Sequence, residues 1–412
     1  MPGNIAVIGA GVVGLACASE LQRRGHAVTL IDPGLPGQGC SFGNAGCLSR
    51  ASCVPLGLPG SWRKVPGWLL DPAGPLSIRL RYAHRIAPWL WRLHLSTSLA
   101  RVNQIADALR PLLDRSIEKW RPLAAWAGVP ELIRQDGYAF SYESEAGFAG
   151  DALGRSLRVA RDVEITVLQG PEIREFDPAL SPTITHLVLM PQQGHVANPG
   201  RLSRALAERL RSGGATFVSA AAKGFDFRDD RVARVITDGP SVEVGAVVIA
   251  AGAYSKQFAE KLDSDVPLET ERGYHVMLES PSVLPRIPVC SGEGKYFMTP
   301  METGLRIAGT VELAGLEAPP NYRRADFLLP GAKRLLPGLK HGKVERWMGH
   351  RPSLPDSMPV LGRSPRVPNA YFAFGHGHVG LTAASPTAGI IADLVENRDP
   401  YMDIHPFAAE RF

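Results

Sequence analysis

The sequence lacks a long run of apolar residues and has few cysteines. No stretch reaches the roughly 20 apolar residues of a membrane-spanning helix, and a glycine motif begins at Gly9, too close to Met1 for a secretory signal peptide. The five cysteines form no CxxC pair and no zinc-like spacing. An odd number of thiols favours a reducing compartment over a disulfide framework, so we expect a cytoplasmic protein.

The same scarcity argues against a metal centre. Cys40, Cys47 and Cys53 lie close together in sequence but have no histidine nearby, so we interpret them as buried thiols and predict no metal site. Iron–sulfur spacing is also missing, and any such centre would belong to another chain.

Charge of either sign is modest. The net charge is +5 with 21% charged residues, and it is not concentrated, which excludes a typical nucleic-acid-binding protein. Residues 61–95 differ because acids are almost absent there. That segment contains Trp62, Trp68, Trp89, Trp91, Arg63, Lys64, Arg79, Arg81, Arg85 and Arg92. Two interpretations stay open: a peripheral contact with the inner face of a membrane, or a protein surface whose tryptophans pack inward.

The chain does contain, near its start, a pattern typical of nucleotide binding. Ile5–Ile8 predicts a strand, the glycines of GAGVVG follow, Val12–Arg24 has helical spacing, and a second strand ends at Asp32. The three glycines allow a tight turn, a close approach of backbone to a pyrophosphate, and close helix–strand packing. The helix N-terminus favours phosphates, and Asp32 suits a ribose but repels a 2′-phosphate. NAD and FAD both fit this unit.

The remaining pattern predicts a discontinuous domain. Residues 199–213 predict a helix and 216–219 and 242–250 strands, while 371–374 and 381–397 predict a further strand and helix. Long helices are expected within 98–128, and antiparallel strands in ERGYHVMLE, KYFMTP and GLRIAGTVE. We predict a nucleotide-binding domain from residues 1–55, 191–255 and 341–412, with 56–190 and 256–340 forming a substrate domain. Such an arrangement favours a flavoprotein over an NAD dehydrogenase.

Several motifs together resemble the FAD-dependent amine oxidoreductases of the D-amino acid oxidase and glycine oxidase superfamily, especially the D-amino acid dehydrogenases. They are VIGAGVVGLACASEL with Asp32, CSFGNAG, GHVANPGRL, VVIAAGAYS, ERGYHVML, RPSLPDSMPVLG and FGHGHVGLTAASPTAGIIADLV, in family order over nearly the whole chain. The resemblance implies an α/β fold. Its FAD-binding domain would be Rossmann-type and glutathione reductase-like, and the inserted α+β substrate domain would contain a mostly antiparallel sheet.

The resemblance also implies which residues bind FAD. Lys223 stands where relatives usually have a valine whose backbone meets the adenine, and the helix after Gly380 would direct its N-terminus at the flavin N1–C2=O edge. The implied cofactor residues are Gly9, Ala10, Gly11, Val12, Val13, Gly14, Asp32, Pro33, Ser41, Asn44, Ala45, Gly46, Leu48, Lys223, Ala251, Gly252, Gly377, His378, Val379, Gly380, Leu381 and Thr382.

Three further residues are implied in the substrate site. Arg351 stands where glycine oxidase-like enzymes anchor the substrate carboxylate, and its planar fork suits that role; the alternative is a surface arginine paired with Asp356. Tyr296 is expected on the same carboxylate, or as a core aromatic. His378 is expected beside the flavin. His275 and His350 are interpreted as ordinary hydrogen-bonded histidines.

The implied reaction is hydride transfer from Cα of a D-amino acid to flavin N5, with electrons passed to a quinone or another carrier. Secondary amines such as D-proline and cis-4-hydroxy-D-proline are the leading substrates, since the CLSRASC stretch departs from the dehydrogenase pattern. Alternatives are an oxygen-using amine or glycine oxidase, a flavin-binding subunit of a larger redox complex, and a flavin-binding structural or tRNA-modifying subunit.

Overall fold

The computed structural model describes residues 3–412, so the first two residues of the predicted segment 1–55 lie outside the described residues. Within that range the strands are β1 (Ile5–Ile8), β2 (Val28–Ile31), β3 (Cys47–Leu48), β4 (Leu76–Ile78), β5 (Ile133–Arg134), β6 (Tyr138–Tyr142), β7 (Thr166–Gln169), β8 (His186–Met190), β9 (Gly194–Val196), β10 (Thr216–Val218), β11 (Ala222–Arg228), β12 (Arg231–Thr237), β13 (Val242–Glu243), β14 (Ala246–Ile249), β15 (Glu269–Leu278), β16 (Val289–Ser291), β17 (Tyr296–Met301), β18 (Gly304–Leu313), β19 (Val344–Ser353), β20 (Val360–Arg363) and β21 (Ala370–Phe374).

The described range also contains α-helices. They are α1 (Val12–Arg23), α2 (Val65–Leu70), α3 (Ala83–Leu95), α4 (Leu99–Asp114), α5 (Ser116–Trp126), α6 (Glu145–Ala149), α7 (Ala152–Val159), α8 (Pro171–Phe176), α9 (Pro199–Ser212), α10 (Lys256–Glu260), α11 (Arg323–Asp326), α12 (Leu328–Leu335) and α13 (Gly380–Val395).

The first sheet is the predicted nucleotide-binding sheet. Its strand order is β10-β2-β1-β14-β21-β20, parallel except for the antiparallel edge strand β20. The continuous apolar runs of β1 and β14 are buried on both faces, as parallel strands require. Helices α1, α9 and α13 share a core with one face, and the sheet β11-β12-β13 packs on the other side. The predicted α/β fold class is confirmed.

The second large sheet is mixed and mostly antiparallel. Its order is β19-β15-β18-β17-β16-β6-β8-β7, with β4 added beside β18. One face is apolar and packs against α12. The opposite face carries Glu271, His275, Arg306 and Arg351, because residues directly opposite each other in β15, β18 and β19 share a face. This polar face turns toward the 41–46 loop of the nucleotide-binding unit.

Two segments lie elsewhere than the predicted domain division places them. Strand β19, predicted in the nucleotide-binding domain, pairs along its whole length with β15 of the large mixed sheet. Helices α4 and α5, predicted in the substrate domain, bury Leu109, Trp120 and Leu123 in cores shared with α13. Periodicity shows that a helix has an apolar face but not which core that face meets, so this correction needed the tertiary structure.

The tryptophans of residues 61–95 do not all behave alike: some pack inward and others are exposed to solvent. Trp89 is buried, whereas Trp62 and Trp91 are 55% and 62% exposed, together with Leu70 and Leu80 at 84% and 91%. In residues 3–412 no helix combines the length and apolar character that crossing a membrane requires.

Candidate active site

The candidate site lies at one edge of the parallel sheet. Strands β1, β2, β14 and β21 are parallel, so their carboxyl ends meet at the same edge. Helix α1 begins there after β1, and α13 begins there after β21. The N-cap residue of neither helix makes a side-chain hydrogen bond, and neither first turn contains an acidic residue. Two helix N-termini therefore offer free N–H groups and partial positive charge to a bound anionic group.

The glycine turn has no room for side chains. A Cβ on Gly14 would lie 1.9 Å from the Gly9 carbonyl oxygen, and one on Gly9 would lie 2.4 Å from the Ala250 carbonyl oxygen. The Asp32 carboxylate accepts hydrogen bonds from the Ala10 and Gly34 amides at 2.7 and 2.8 Å. A carboxylate has about four acceptor positions, so Asp32 keeps capacity for a ribose hydroxyl.

The loop of residues 41–46 is fastened between the two sheets. The Ser41 hydroxyl accepts the Val12 amide at 2.8 Å, which joins the loop to the start of α1. Arg306 donates to the Phe42 and Asn44 carbonyls at 3.0 and 2.7 Å, and the Thr299 hydroxyl donates to the Ala45 carbonyl at 2.8 Å. The sequence reasoning missed Arg306 and Thr299, since strands β17 and β18 give no signal of what their polar side chains meet.

The other predicted cofactor residues lie around the same edge. Gly252 has φ +56° and a Cβ there would meet nothing within 4 Å, so open space adjoins the end of β14. The Thr382 hydroxyl, in the first turn of α13, donates to the Cys47 carbonyl at 3.1 Å beside buried Leu48. Lys223 has no cross-strand partner in β12, because the register shifts between Ala222 and Gly224. The contact of its backbone with the adenine stays a prediction.

These features fit an elongated dinucleotide such as FAD. The glycine turn and α1 suit the pyrophosphate, Asp32 suits the ribose, and the start of α13 suits an electron-rich ring edge at the far end. The fit rests on the glycine turn, which has no room for a Cβ, on the two helix N-termini that share this edge, and on the space beside Gly252.

Arg351 lies on the polar face of the mixed sheet, toward this edge. Its Nη1 donates to the Thr310 carbonyl at 3.0 Å, and its Nη2 approaches the Gly309 carbonyl at 3.5 Å. Burial lowers the pKa of Arg351, with Cys40 and Glu271 acting in the opposite direction. No carboxylate of residues 3–412 lies within 4.0 Å of this guanidinium. The alternative pairing with Asp356 is wrong, because Asp356 binds Arg411 at 2.8 Å.

Backbone irregularity holds Arg351 in place. Between the pairs Arg272–Glu312 and Tyr274–Gly309, strand β18 contains one more residue than β15, and Thr310 in this bulge has φ +55°. A β-branched residue rarely adopts that conformation, which is typical of strained functional positions. Gly273 is equally restricted: a Cβ there would lie 2.1 Å from Arg351 Nη2. The bulge therefore directs the Thr310 and Gly309 carbonyls at the guanidinium, and Gly273 leaves the space in which the guanidinium lies.

Tyr296 is not brought to Arg351. It pairs with Gly309, which pairs with Tyr274, and these residues lie on the opposite face of the sheet from Glu271 and Arg351. Its ring is buried in the core with α12, where a Cβ on Gly331 would lie 2.6 Å from the hydroxyl. The expectation of a shared carboxylate site is therefore corrected to the alternative of a core aromatic. Because β18 contains a bulge, simple alternation along the sequence does not tell which face of the sheet a nearby residue occupies.

His378 is exposed at the site and pairs with a carboxylate, a contact that the sequence did not reveal. Its Nε2 lies 2.7 Å from Glu271 Oε2, and the Ser353 hydroxyl donates to Glu271 Oε1 at 2.8 Å. Burial by itself would raise the pKa of Glu271, but His378, Ser353 and Arg351 together lower it, so the buried carboxylate is ionised. Glu271 and Arg351 are direct cross-strand neighbours. A cation and a histidine–carboxylate pair therefore stand side by side.

The other histidines and the cysteines have structural surroundings. His275 bonds the Gly43 carbonyl at 3.1 Å and stacks on Trp347, and His350 bonds the Thr270 hydroxyl at 3.1 Å, as interpreted from the sequence. Burial raises the pKa of the Cys40 thiol to about 11. Within residues 3–412, no three histidine, cysteine or acidic side chains are grouped as metal ligands.

Comparison with known proteins gives consistent similarities. Residues 4–394 match the family described as FAD dependent oxidoreductase. A D-amino-acid oxidase of Bradyrhizobium diazoefficiens is 42% identical over 416 residues, covering 99% of each chain. A D-amino acid dehydrogenase of Rhizobium johnstonii is 28% identical, covering 99% of this chain and 100% of its own. Among solved structures, glycine oxidase from Geobacillus kaustophilus superposes with a TM-score of 0.78 at 21% identity, over 100% and 99% of the two chains.

Proposed function

Because the chain belongs to the family of FAD-dependent oxidoreductases, we propose that it is an enzyme that oxidises a D-amino acid at Cα. The substrate class follows the names of relatives that cover 99% of the chain. The observation that carries the proposal is Arg351, a guanidinium in the site with no carboxylate of residues 3–412 within 4.0 Å. Such a group suits the carboxylate of an amino acid.

FAD would be held by the edge already described. Gly9–Gly14 and Ser41 would meet the pyrophosphate, Asp32 and Pro33 the ribose, and Lys223 the adenine. The flavin would lie among Asn44–Gly46, Leu48, Ala251–Gly252 and Gly377–Thr382. Bound there, FAD supplies a two-electron acceptor for the hydride on the substrate Cα. The protein residues orient the substrate and exclude water, so no strong catalytic acid is required.

Arg351 positions the substrate by its carboxylate. Two of its N–H groups are directed at the Thr310 and Gly309 carbonyls, which fixes the plane of the guanidinium and leaves other N–H groups for the ligand. The Tyr296 hydroxyl has no part in this arrangement, since it lies on the apolar face of the sheet.

Within this class we propose secondary D-amino acids, such as D-proline and cis-4-hydroxy-D-proline, as the preferred substrates. Support comes from the CLSRASC segment (Cys47–Cys53), which departs from the pattern of the dehydrogenases that the chain resembles. The product would be a cyclic imine, whereas a primary amine would give an imine that hydrolyses to a keto acid and ammonia.

For the electron acceptor we propose a quinone, reached at the cytoplasmic face of a membrane through residues 61–95. Exposed Trp62 and Trp91 among basic residues support this location, because aromatic and cationic side chains together suit an anionic lipid surface. Oxygen is the second candidate, favoured by the name of the 42% identical relative.

The test is anaerobic mixing of the purified yellow protein with a panel of D- and L-amino acids while flavin absorbance is followed. Bleaching by a D-amino acid, fastest with D-proline or its hydroxylated form, is the expected result. Reoxidation by a quinone analogue but not by air would support the dehydrogenase, and rapid reoxidation by air the oxidase. Full retention of the yellow colour with every amino acid would refute the proposed function.

A further inference from the structure

A proton must leave the substrate before its Cα–H can be transferred as hydride. An amino acid carries an ammonium at neutral pH, because an aliphatic amine has a pKa of roughly 10. Only the neutral amine has the lone pair that forms the C=N bond when hydride departs. Arg351 is a cation and cannot accept that proton.

Resting on the proposed function, we propose that His378 accepts the substrate ammonium proton through Nδ1 and that Glu271 positions and stabilises it through Nε2. The substrate N–H bond breaks, its electron pair stays on nitrogen, and the proton forms a new N–H bond on the imidazole. No electrons are exchanged in this step.

The geometry of the pair fits such a transfer. Glu271 Oε2 lies 2.7 Å from Nε2, so with the ring proton on Nε2 the carboxylate orients the ring and leaves the Nδ1 lone pair directed elsewhere. No hydrogen bond joins Nδ1 to any group of residues 3–412, and one third of the side chain is exposed. The buried Ser353 hydroxyl fixes the second carboxylate oxygen.

The position of the His378–Glu271 pair relative to Arg351 also supports the proposal. Glu271 and Arg351 are direct cross-strand partners on one face, so the histidine lies next to the carboxylate anchor. The carboxylate and nitrogen of an α-amino acid are also adjacent, separated by one carbon. A substrate held by Arg351 therefore presents its ammonium toward the His378–Glu271 pair.

The surroundings contain few other titratable groups. Arg351 on β19 flanks Glu271, and the Cys40 thiol, whose pKa is raised by burial, lies near Arg351. His376, two residues before His378, is buried against the Thr387 hydroxyl of α13 and its pKa is lowered to about 3. Neither His376 nor Cys40 is suited to exchange a proton near neutral pH.

The kinetic test measures anaerobic flavin bleaching by D-proline from about pH 6 to about pH 10. In the wild type, the logarithm of the second-order rate constant should rise with increasing pH and then become constant. His378→Asn should be slower by about 100-fold near neutral pH, with a deficit that shrinks as pH approaches the substrate pKa and solution supplies neutral amine. Glu271→Gln, which keeps an acceptor but removes the charge, should be slower by about 10-fold and should become level at a lower pH.

His26→Asn is the matched control. His26 also pairs with a glutamate, Glu396 at 3.1 Å, but at the opposite end of β2 from the site. Its pH profile should equal that of the wild type. A wild-type profile in His378→Asn as well would overturn the proposal and leave the pair as a loop anchor.

A second readout does not depend on turnover. The chain has 11 histidines, and ¹⁵N-labelled imidazole rings report their protonation by NMR. 2-Methyl-D-proline has no Cα–H and cannot be oxidised. Because its ammonium and the His378 ring compete for one proton, its binding to the holoenzyme should lower the pH at which one imidazole becomes protonated. That shift should be missing in His378→Asn. A wild-type titration in which saturating ligand shifts no imidazole would overturn the proposal even if the variants lose FAD, whereas failure of every D-amino acid to bleach the wild type refutes the proposed function instead.

Discussion

At the scale of single residues, glycines shape the site, because they leave space for the larger side chains beside them. Gly273 leaves the space that the Arg351 guanidinium fills, and Gly43 and Gly349 leave the space for Trp347, since a Cβ on either would lie about 2 Å from its ring. Small residues thus allow large polar and aromatic groups to lie flat against the sheet. A flat, fixed guanidinium binds a carboxylate with two parallel hydrogen bonds, which a lysine cannot reproduce.

Replacement of Arg351 by lysine tests this directly. We expect kcat/KM for the best D-amino acid to fall by about 10- to 100-fold, since one charge-assisted hydrogen bond is worth about 1.5–3 kcal/mol. Bound FAD and its spectrum should not change. Steady-state kinetics and the absorbance of the purified variant provide the measurement.

Arg346→Lys is the control for that variant, because Arg346 is an exposed arginine of the same strand that pairs with Asp326. Its kinetics should match the wild type. Loss of FAD from Arg351→Lys would mean that Arg351 supports the fold and does not anchor a substrate.

At the scale of elements, the two helices α1 and α13 place their N-termini at one sheet edge. Their packing is close, because α1 begins directly on the glycine turn and α13 lies against it in the shared core. The helix dipoles therefore act at the same edge, and the proposed binding of the FAD phosphates there would depend on how closely α1 approaches β1.

Gly14→Ala should abolish this approach. The new Cβ would lie 1.9 Å from the Gly9 carbonyl oxygen, so α1 must move away from β1. We expect a colourless protein, or one that binds FAD at least about 100-fold more weakly, together with a destabilisation of about 1–3 kcal/mol from the overpacking. FAD titration followed by flavin fluorescence measures the first, and urea unfolding the second.

Gly389→Ala provides the comparison in α13. A Cβ there meets nothing within 4 Å, so the change should leave FAD binding intact and stabilise the helix by about 0.5–1 kcal/mol. Equal FAD affinity in both variants would contradict the importance assigned to the glycine turn.

At the scale of the whole molecule, the burial of His275 and His376 makes stability depend on pH. Burial lowers the pKa of His275, with Arg306 adding to the effect, and burial lowers that of His376; both reach about 3. In the unfolded chain a histidine has a pKa near 6.5. Below that pH the unfolded state binds protons that the folded state does not, so stability decreases as pH falls toward about 3.

Each of these histidines should contribute a slope of about 1.4 kcal/mol per pH unit between about pH 5.5 and pH 4.5. Urea unfolding of the FAD-saturated protein at several pH values measures the total slope. The variants His275→Gln and His376→Gln should each reduce the slope by the contribution of one proton, about 1.4 kcal/mol per pH unit. Unchanged slopes in both variants would show that other groups cause the acid sensitivity.

The proposed membrane contact also belongs to the scale of the whole molecule, because it would use residues from α3 and from the segment before α2. The protein should sediment with vesicles that contain anionic lipid, and the double variant Trp62→Ser, Trp91→Ser should remain in solution. Phe227→Ser, at a residue 47% exposed on another surface, should sediment as the wild type does. Wild-type protein that stays in solution with every vesicle would refute the membrane contact.

By itself the sequence determined the cofactor domain. The glycine turn, Asp32, the apolar strands and the small-residue helix after Gly380 are local patterns, and local patterns fix a strand–turn–helix unit whatever surrounds it. The order of the motifs also determined the fold class and the family.

Only the tertiary structure decided what surrounds Arg351. Glu271, Ser353 and His378 are separated by up to 107 positions and meet only because β15 pairs with β19. The bulge at Thr310, which determines the facing of nearby residues, and the placement of α4 and α5 likewise depend on distant contacts. Strand pairing and core packing are interactions between remote segments, so no local pattern could have revealed this pair or excluded Tyr296 from the site.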